Sequence, residues 1–333
     1  MARVSARSGV LALLLAASIP LPTDSAEISA PDSSVWRIPD VGALPDDARG
    51  EQIRRGRELV TQTYALIGPD APQPADRFAG NNLACGDCHL EAGTKKFGLP
   101  LFGLYSAFPR YSARSGTEIS IEDRINSCMT RSMNGRPLPT DSPQMQALVA
   151  YVKFLASDMT KEEPLPGHGA GDLPDLDRAA EPARGERIYE QICRACHRQD
   201  GGGLPRDPQA LAAGYAAPPL WGDQSFNDGA GMARLETMAN FVHSNMPPGA
   251  DYLNPRISVE DAWDAAAYVE SQPRPREAGL DKDFPDLLDK PVDTPYGPYA
   301  DGFSEAEHKY GPFAPIRAEV ARLKAEQEKS GAR

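Results

Sequence analysis

Four of the five cysteines fall in two identical strings, Cys85-Gly86-Asp87-Cys88-His89 and Cys193-Arg194-Ala195-Cys196-His197. In a C-x-x-C-H string the two thiols sit about one helical turn apart, and the adjacent imidazole is free to turn inward toward a metal. This is the pattern of covalent haem attachment: the thiols add to two vinyl groups and the histidine coordinates iron on one face. A single string also suits zinc. Two of them, each at the end of a helix, predict two covalently bound haem c groups, held by Cys85, Cys88, Cys193 and Cys196, with His89 and His197 on iron.

The opposite face of each iron needs a second ligand, and its identity sets the chemistry. Met or His gives an electron-transfer site, whereas a Cys thiolate gives a more electron-rich iron. In the second half, Phe241-Val242-His243-Ser244-Asn245-Met246-Pro247-Pro248 offers Met246, just ahead of a helix, with His243 as the competitor. In the first half, Met129 stands as far before Tyr151 as Met246 stands before Tyr268, so the repeat nominates Met129, with Met133 behind it. The odd cysteine, Cys128, is the neighbouring residue. Spacing alone leaves Cys128, Met129 and Met133 open.

The elements that position these groups form a degenerate repeat. Each unit opens with a helix (52–66 and 183–192), carries its C-x-x-C-H string, and closes with a helix (143–156 and 258–270). Arg55-Gly56-Arg57 and Arg184-Gly185-Glu186 occupy matching places, as do Ala150-Tyr151-Val152 and Ala267-Tyr268-Val269. Met145, Leu148, Val149, Val152 and Leu155 form an apolar stripe of helical period. Ser142-Pro143 reads as an N-cap followed by Pro at the first helical position, and Ser258 with Asp261 as a capping pair. No run alternates convincingly enough for strands. The expectation is all-α: two tandem cytochrome c-like domains, residues 27–160 and 182–275, joined by a Pro/Gly/acidic linker, 161–181. Residues 276–333 are Pro-rich yet carry Phe284, Tyr296, Tyr299, Phe303, Tyr310 and Phe313, too many aromatics for a solvated tail. They predict an extended strap across both domains, ending in an exposed charged helix over 314–329.

Composition narrows the class. A formal charge of −12 over 333 residues excludes non-specific nucleic-acid binding, which needs clustered positive charge, and suits a basic redox partner. Residues 1–26 read as an export signal: Arg3 and Arg7 precede a short apolar run, Val10 to Ile19. That run is too short for a bilayer-spanning helix, and no other segment is apolar enough. The reading is cleavage after Ala26, a periplasmic chain of charge −13 and no transmembrane span in the mature protein. An uncleaved anchor is the alternative.

The string Asp123-Arg124-Ile125-Asn126-Ser127-Cys128, running on to Arg131-Ser132-Met133-Asn134-Gly135, resembles the dihaem thiosulfate dehydrogenases that form tetrathionate. So do Lys290-Pro291-Val292-Asp293 and His308-Lys309-Tyr310-Gly311-Pro312-Phe313 in the tail. The resemblance implies His89 and the Cys128 thiolate on the first iron, His197 and Met246 on the second, and a substrate site formed with Arg114, Arg124 and Ser132. Where some members of that family carry Lys as an alternative ligand, this chain has Asn245, so the resemblance implies no Lys/Met exchange. The residues are consistent with this on their own. Thiosulfate is a small dianion, best held by paired guanidinium donors, and Arg110, Arg114, Arg124, Arg131 and Arg136 surround Cys128 in an acidic protein. Arg110 and Arg136 read as ordinary surface residues. Arg124 lies four residues before Cys128, on the same helix face. The expected reaction joins two thiosulfates, in either direction, with Cys128 leaving iron to carry a sulfur adduct in passing. Electrons leave through the second haem to a soluble cytochrome c or similar acceptor. The competitors are a dihaem electron carrier without substrate, a sulfur-carrier cytochrome that conjugates thiosulfate to a partner protein, and a dihaem peroxidase.

Overall fold

The computed structural model describes Met1, residues 36–157 and residues 165–331. Residues 2–26 of the expected export segment, 158–160 of the expected first domain and 161–164 of the expected linker lie outside the described residues. No described helix is long and apolar enough to cross a membrane.

The first domain is built on two crossing helices. Helix α1 (Ala48–Thr61) starts where the Asp47 carboxylate accepts the Gly50 N–H, satisfying one of the free donors of the first turn. It is followed by the short α2 (Thr63–Leu66) and, after the first C-x-x-C-H string, by α3 (Leu90–Gly93). A hairpin of β1 (Arg110–Ser112) and β2 (Thr117–Ile119) pairs antiparallel, with Arg110 opposite Ile119. Helix α4 (Ile121–Arg131) opens on a capping box between Ser120 and Asp123, and α5 (Pro143–Leu155) on the Ser142 cap with Pro143 at its first position. Ile53 and Leu59 of α1 pack with Leu148, Tyr151 and Val152 of α5. Each fully buried aliphatic side chain contributes about 1.5–3 kcal/mol.

The second domain repeats the plan. Helix α6 (Pro182–Ile188) widens into a π turn over Tyr189–Cys193 and runs on as α7 (Arg194–His197), so the second string rides directly on the opening helix. A small hairpin, β3 (Leu204–Pro205) with β4 (Tyr215–Ala217), precedes α8 (Leu235–Asn245) and the closing α9 (Val259–Ser271). The matching glycines of the repeat now have a reason. A Cβ at Gly56 would sit 2.0 Å from the Ala147 carbonyl oxygen, and one at Gly185 would sit 1.8 Å from that of Asp264. Both opening helices cross their closing helices in backbone contact.

The all-α expectation holds, with the two hairpins as additions; their strands of two or three residues are too short for an alternating pattern to show. The tail behaves as a strap. Phe284 N–H donates to the Arg114 carbonyl at 2.8 Å in the first domain. Asp293 accepts from Arg234 Nε at 2.7 Å and from the Glu236 N–H at 3.0 Å in the second. Lys290 is buried, donating to the Pro298 carbonyl at 2.9 Å with the rings of Tyr296 and Tyr299 within 5 Å of its ammonium. After α10 (Glu305–Tyr310), α11 (Phe313–Gly331) buries Phe313 and Ile316 against the second domain and exposes most of its charged length. Asn81 Nδ2 joins the domains, donating to the Ser132 carbonyl at 3.1 Å and the Ser225 carbonyl at 3.2 Å.

Candidate functional site

In the second domain, Cys193, Cys196, His197 and Met246 line one cavity of about 280 Å³ whose other walls are mainly apolar, among them Leu220, Phe241 and Val269. His197 Nδ1 lies 2.8 Å from the Pro218 carbonyl. A proton on Nδ1 donates to that oxygen, leaving Nε2 as a free lone pair for a metal. Met246 is the cap residue of α8, so it reaches the cavity just where the helix ends. His243 is buried one turn earlier and does not line the cavity. The donor set and the apolar walls fit a c-type haem.

The first domain uses the same device. His89 Nδ1 lies 2.5 Å from the Leu99 carbonyl, again freeing Nε2. Leu99 has a positive φ of 51°, and its N–H is held by the Gly169 carbonyl at 3.0 Å. Thr63 positions the first thiol: its hydroxyl donates to the Leu59 carbonyl at 2.6 Å and accepts the Cys85 N–H at 3.0 Å. None of the five cysteines is in a disulfide. Burial pushes Cys85 up to about 11 and Cys88 up to about 12.

Cys128 is electrostatically different. Burial alone would raise its thiol, but the Arg124 guanidinium and the neighbouring His89 ring outweigh it, with Arg114 adding, and the pKa falls to about 7. Arg124 Nη1 is 3.2 Å from the sulfur, one turn back along α4. Met129 is the next residue, turned about 100° around the helix, and is 1% exposed in the core of the domain. Of the three open candidates, Cys128 and Met133 line the small cavity shared with Cys85, Cys88 and His89, and Met129 does not.

Outside this pair lies a larger cavity of about 880 Å³. His89, Cys128 and Ser132, the residue that caps the end of α4, line it together. Six cations face it: Arg110, Arg114, Arg124 and Arg131 from the first domain, Arg234 from the second and Lys282 from the tail. Glu118, Asp123 and Asp283 are the carboxylates on its wall, Asp123 is occupied by the Ser120 cap, and Arg234 is paired with Asp293. A positive hollow in a chain of charge −12 is built to draw a small anion. Asp283 is shared: its oxygens take Arg131 at 2.9 Å and Arg114 at 3.2 Å, and it accepts from the Tyr296 hydroxyl at 2.7 Å. Arg114 and Arg131 both also donate to the Gly229 carbonyl. Arg136 lies elsewhere, over the Phe78 ring at 3.9 Å, as a surface residue should. Arg110 is exposed, as expected, but the β hairpin also brings it to the cavity wall. The sequence reading also missed Lys282 and Asp283, for the tail carries no local signal of where it folds back; Met232 lines both cavities of the first site and that of the second.

Comparisons with known proteins fit this arrangement. Residues 76–160 match the model of the SoxA/TsdA cytochrome c domain, and residues 180–269 match that of cytochrome c oxidase, cbb3-type, subunit III. Two cytochrome c domains, each with its own attachment string, carry two covalently bound c-type haems. The chain is 40% identical over 255 residues to the thiosulfate dehydrogenase of Allochromatium vinosum, covering 75% of this chain and 88% of that protein. It is 36% identical over 249 residues to the thiosulfate dehydrogenase of Stutzerimonas stutzeri, covering 74% of this chain and 75% of the relative. Among solved structures it is similar to the thiosulfate dehydrogenase (TsdBA) of Marichromatium purpuratum, with a TM-score of 0.64 and 30% identity. That match covers 74% of this chain and 52% of the solved one, so the chain spans about half of it.

Proposed function

The chain belongs to the thiosulfate dehydrogenase family, and from that premise we propose that it is an exported oxidoreductase that couples two thiosulfates into tetrathionate at its first haem site. The reaction balances without a proton: two dianions lose one electron each, one S–S bond forms, and a single dianion leaves. Each bound haem supplies one-electron redox chemistry, and the electrons go on to an external acceptor such as a soluble cytochrome c.

The chain's own residues address the two difficulties of this reaction. The first is repulsion. Two dianions 5 Å apart repel by about 3 kcal/mol in a water-like medium and by about 13 kcal/mol at the effective dielectric of 20 typical of protein sites. The excess of arginines around the cavity offsets this, with Arg124 and Arg114 placed to hold the anion next to the sulfur and Ser132 to orient it. The second is the iron's character. A thiolate is the stronger donor, and Arg124 stabilises that thiolate form of Cys128. In this reading His89 and Cys128 would hold the first iron, and His197 and Met246 the second. Leu99 and Pro218 fix the imidazoles through their carbonyls. With Asn245 donating to the Phe97 carbonyl at 2.9 Å and to Phe241 at 3.1 Å, that side chain is a structural clamp, which supports Met246 as the standing ligand.

The observation that carries the proposal is the 3.2 Å contact between Arg124 and Cys128 beside His89, at the edge of a cation-lined cavity. Replacing Cys128 by Gly should abolish tetrathionate formation while haem content stays at two per chain. Normal turnover in that variant would refute the assignment.

A further inference from the structure

Arg124 and Cys128 can hold one thiosulfate against the sulfur, but the reaction needs a second within bonding distance of the first. The outer part of the cavity carries charge that the inner site does not use. Arg110, at the start of β1, lies on the cavity wall with its guanidinium 5.0 Å from the Phe108 ring, and it has no carboxylate partner among the described residues. Burial and then the like charge of Arg124 both work against its protonated form. Arg110 and Arg124 line the same cavity and neither has a carboxylate partner among the described residues, which leaves a place for a mobile anion. Lys282, in the tail turn Leu280–Lys282, lines the same cavity and is likewise without a carboxylate partner among the described residues. Arg114 and Arg131 are different, since Asp283 already neutralises part of their charge. Glu118 is the one lining carboxylate with neither a cap nor an ion pair to make, and it stands at the exposed rim.

We propose that Arg110 and Lys282 form an outer anion subsite that holds the second thiosulfate against the first, and later the far sulfonate of tetrathionate. The inner anion is then gripped by the first domain alone, and the outer one by the hairpin and the tail together. This assignment rests on the thiosulfate-coupling reading above.

The test uses the intact dihaem protein, fully oxidised, so that bound tetrathionate has no electrons to accept. Tetrathionate is titrated calorimetrically into wild type, Arg110→Gln, Lys282→Gln and Arg110→Lys, and thiosulfate turnover and both haem midpoint potentials are measured alongside. Both residues are exposed, so the variants should fold and keep two haems. Each glutamine variant should bind tetrathionate about tenfold more weakly, the loss of one charge-assisted contact, with a matching rise in KM and unchanged potentials, while Arg110→Lys recovers most of the affinity. If Arg110→Gln shifts the first-haem potential but leaves tetrathionate affinity alone, Arg110 belongs to the cofactor's propionates and the subsite is wrong. Unchanged affinity and KM in both glutamine variants, with an active wild type, overturns the subsite alone. A wild type that neither binds tetrathionate nor oxidises thiosulfate overturns the subsite together with the reading beneath it.

Discussion

Replacing Gly185 by Ala should drive α6 off α9 and loosen the second domain at the point from which its haem-bearing turn hangs. The new Cβ would lie 1.8 Å from the Asp264 carbonyl oxygen, 2.6 Å from its carbon and 2.8 Å from Tyr268 Cβ. Ordinary contact begins at 3.4 Å, so the helices must part by roughly 1.6 Å, and backbone atoms cannot rotate aside. The same displacement pulls on the Asp264 carboxylate, which is fully buried and holds Arg178 through two bonds of 2.9 Å and the Glu181 N–H at 2.7 Å. Overpacking of this kind costs about 1–3 kcal/mol, and the upper end applies because the obstruction is backbone. Alanine returns at most about 1 kcal/mol through helix propensity. The net loss of about 2 kcal/mol corresponds to a melting point lower by on the order of 5 °C. Thermal unfolding followed by far-ultraviolet circular dichroism reads this directly. Gly302→Ala, with nothing within 4 Å of the added carbon, is the control and should melt like wild type. Should Gly185→Ala melt with the control, the helices are not in backbone contact and the explanation of the repeated glycine is wrong.

Two further outcomes test the chemistry and the electrostatics. Arg124→Gln removes a charge-assisted contact worth about 1.5–3 kcal/mol and should lower kcat/KM for thiosulfate by about 10- to 100-fold with both haems attached; a loss under about threefold would disconnect Arg124 from the reaction. Burial holds the Glu270 carboxyl up at about 7, although Arg274 lies 3.2 Å away. Its folded pKa is above its unfolded value of about 4.3, so the native state holds the extra proton between them, and stability falls as pH rises through that window. Glu270→Gln should remove up to about 4 kcal/mol of that decline; melting curves of the two proteins that stay parallel from about pH 5 to pH 8 would contradict it.

What the sequence disclosed was local. The attachment strings fix their own chemistry, and the Ser142-Pro143 and Ser258–Asp261 signals mark helix starts where the structure has them, because a cap needs only its own first turn. The pairing of Arg124 with Cys128 was legible for the same reason: the two share one helix face. Counting along the repeat nominated Met129, but helix phase decides where a side chain goes, and one residue of phase puts Met129 in the core beside Ile53 and Leu148. Arg110 read as surface because nothing near it in the chain reveals that a three-residue hairpin will carry it to the cavity. Asp283 and Lys282 are more than 150 residues from Cys128, and their place depends on how the tail folds back over both domains. Pattern reports what neighbours in sequence do; closing a cavity from three distant segments is a property of the finished packing.

The partition between the two haem sites is only one layer of side chains thick. Cys88 and Met232 border both, and Leu83 and Phe226 cross from one to the other. Each half therefore owns part of its neighbour's wall, and Asn81 and Asn245 stitch that seam from opposite directions. These domains are not interchangeable cassettes. A chimera that imports a foreign electron-transfer module in place of the C-terminal half would have to bring its own counterparts of Met232 and Phe226, or open the cavity beside Cys128 to water from behind.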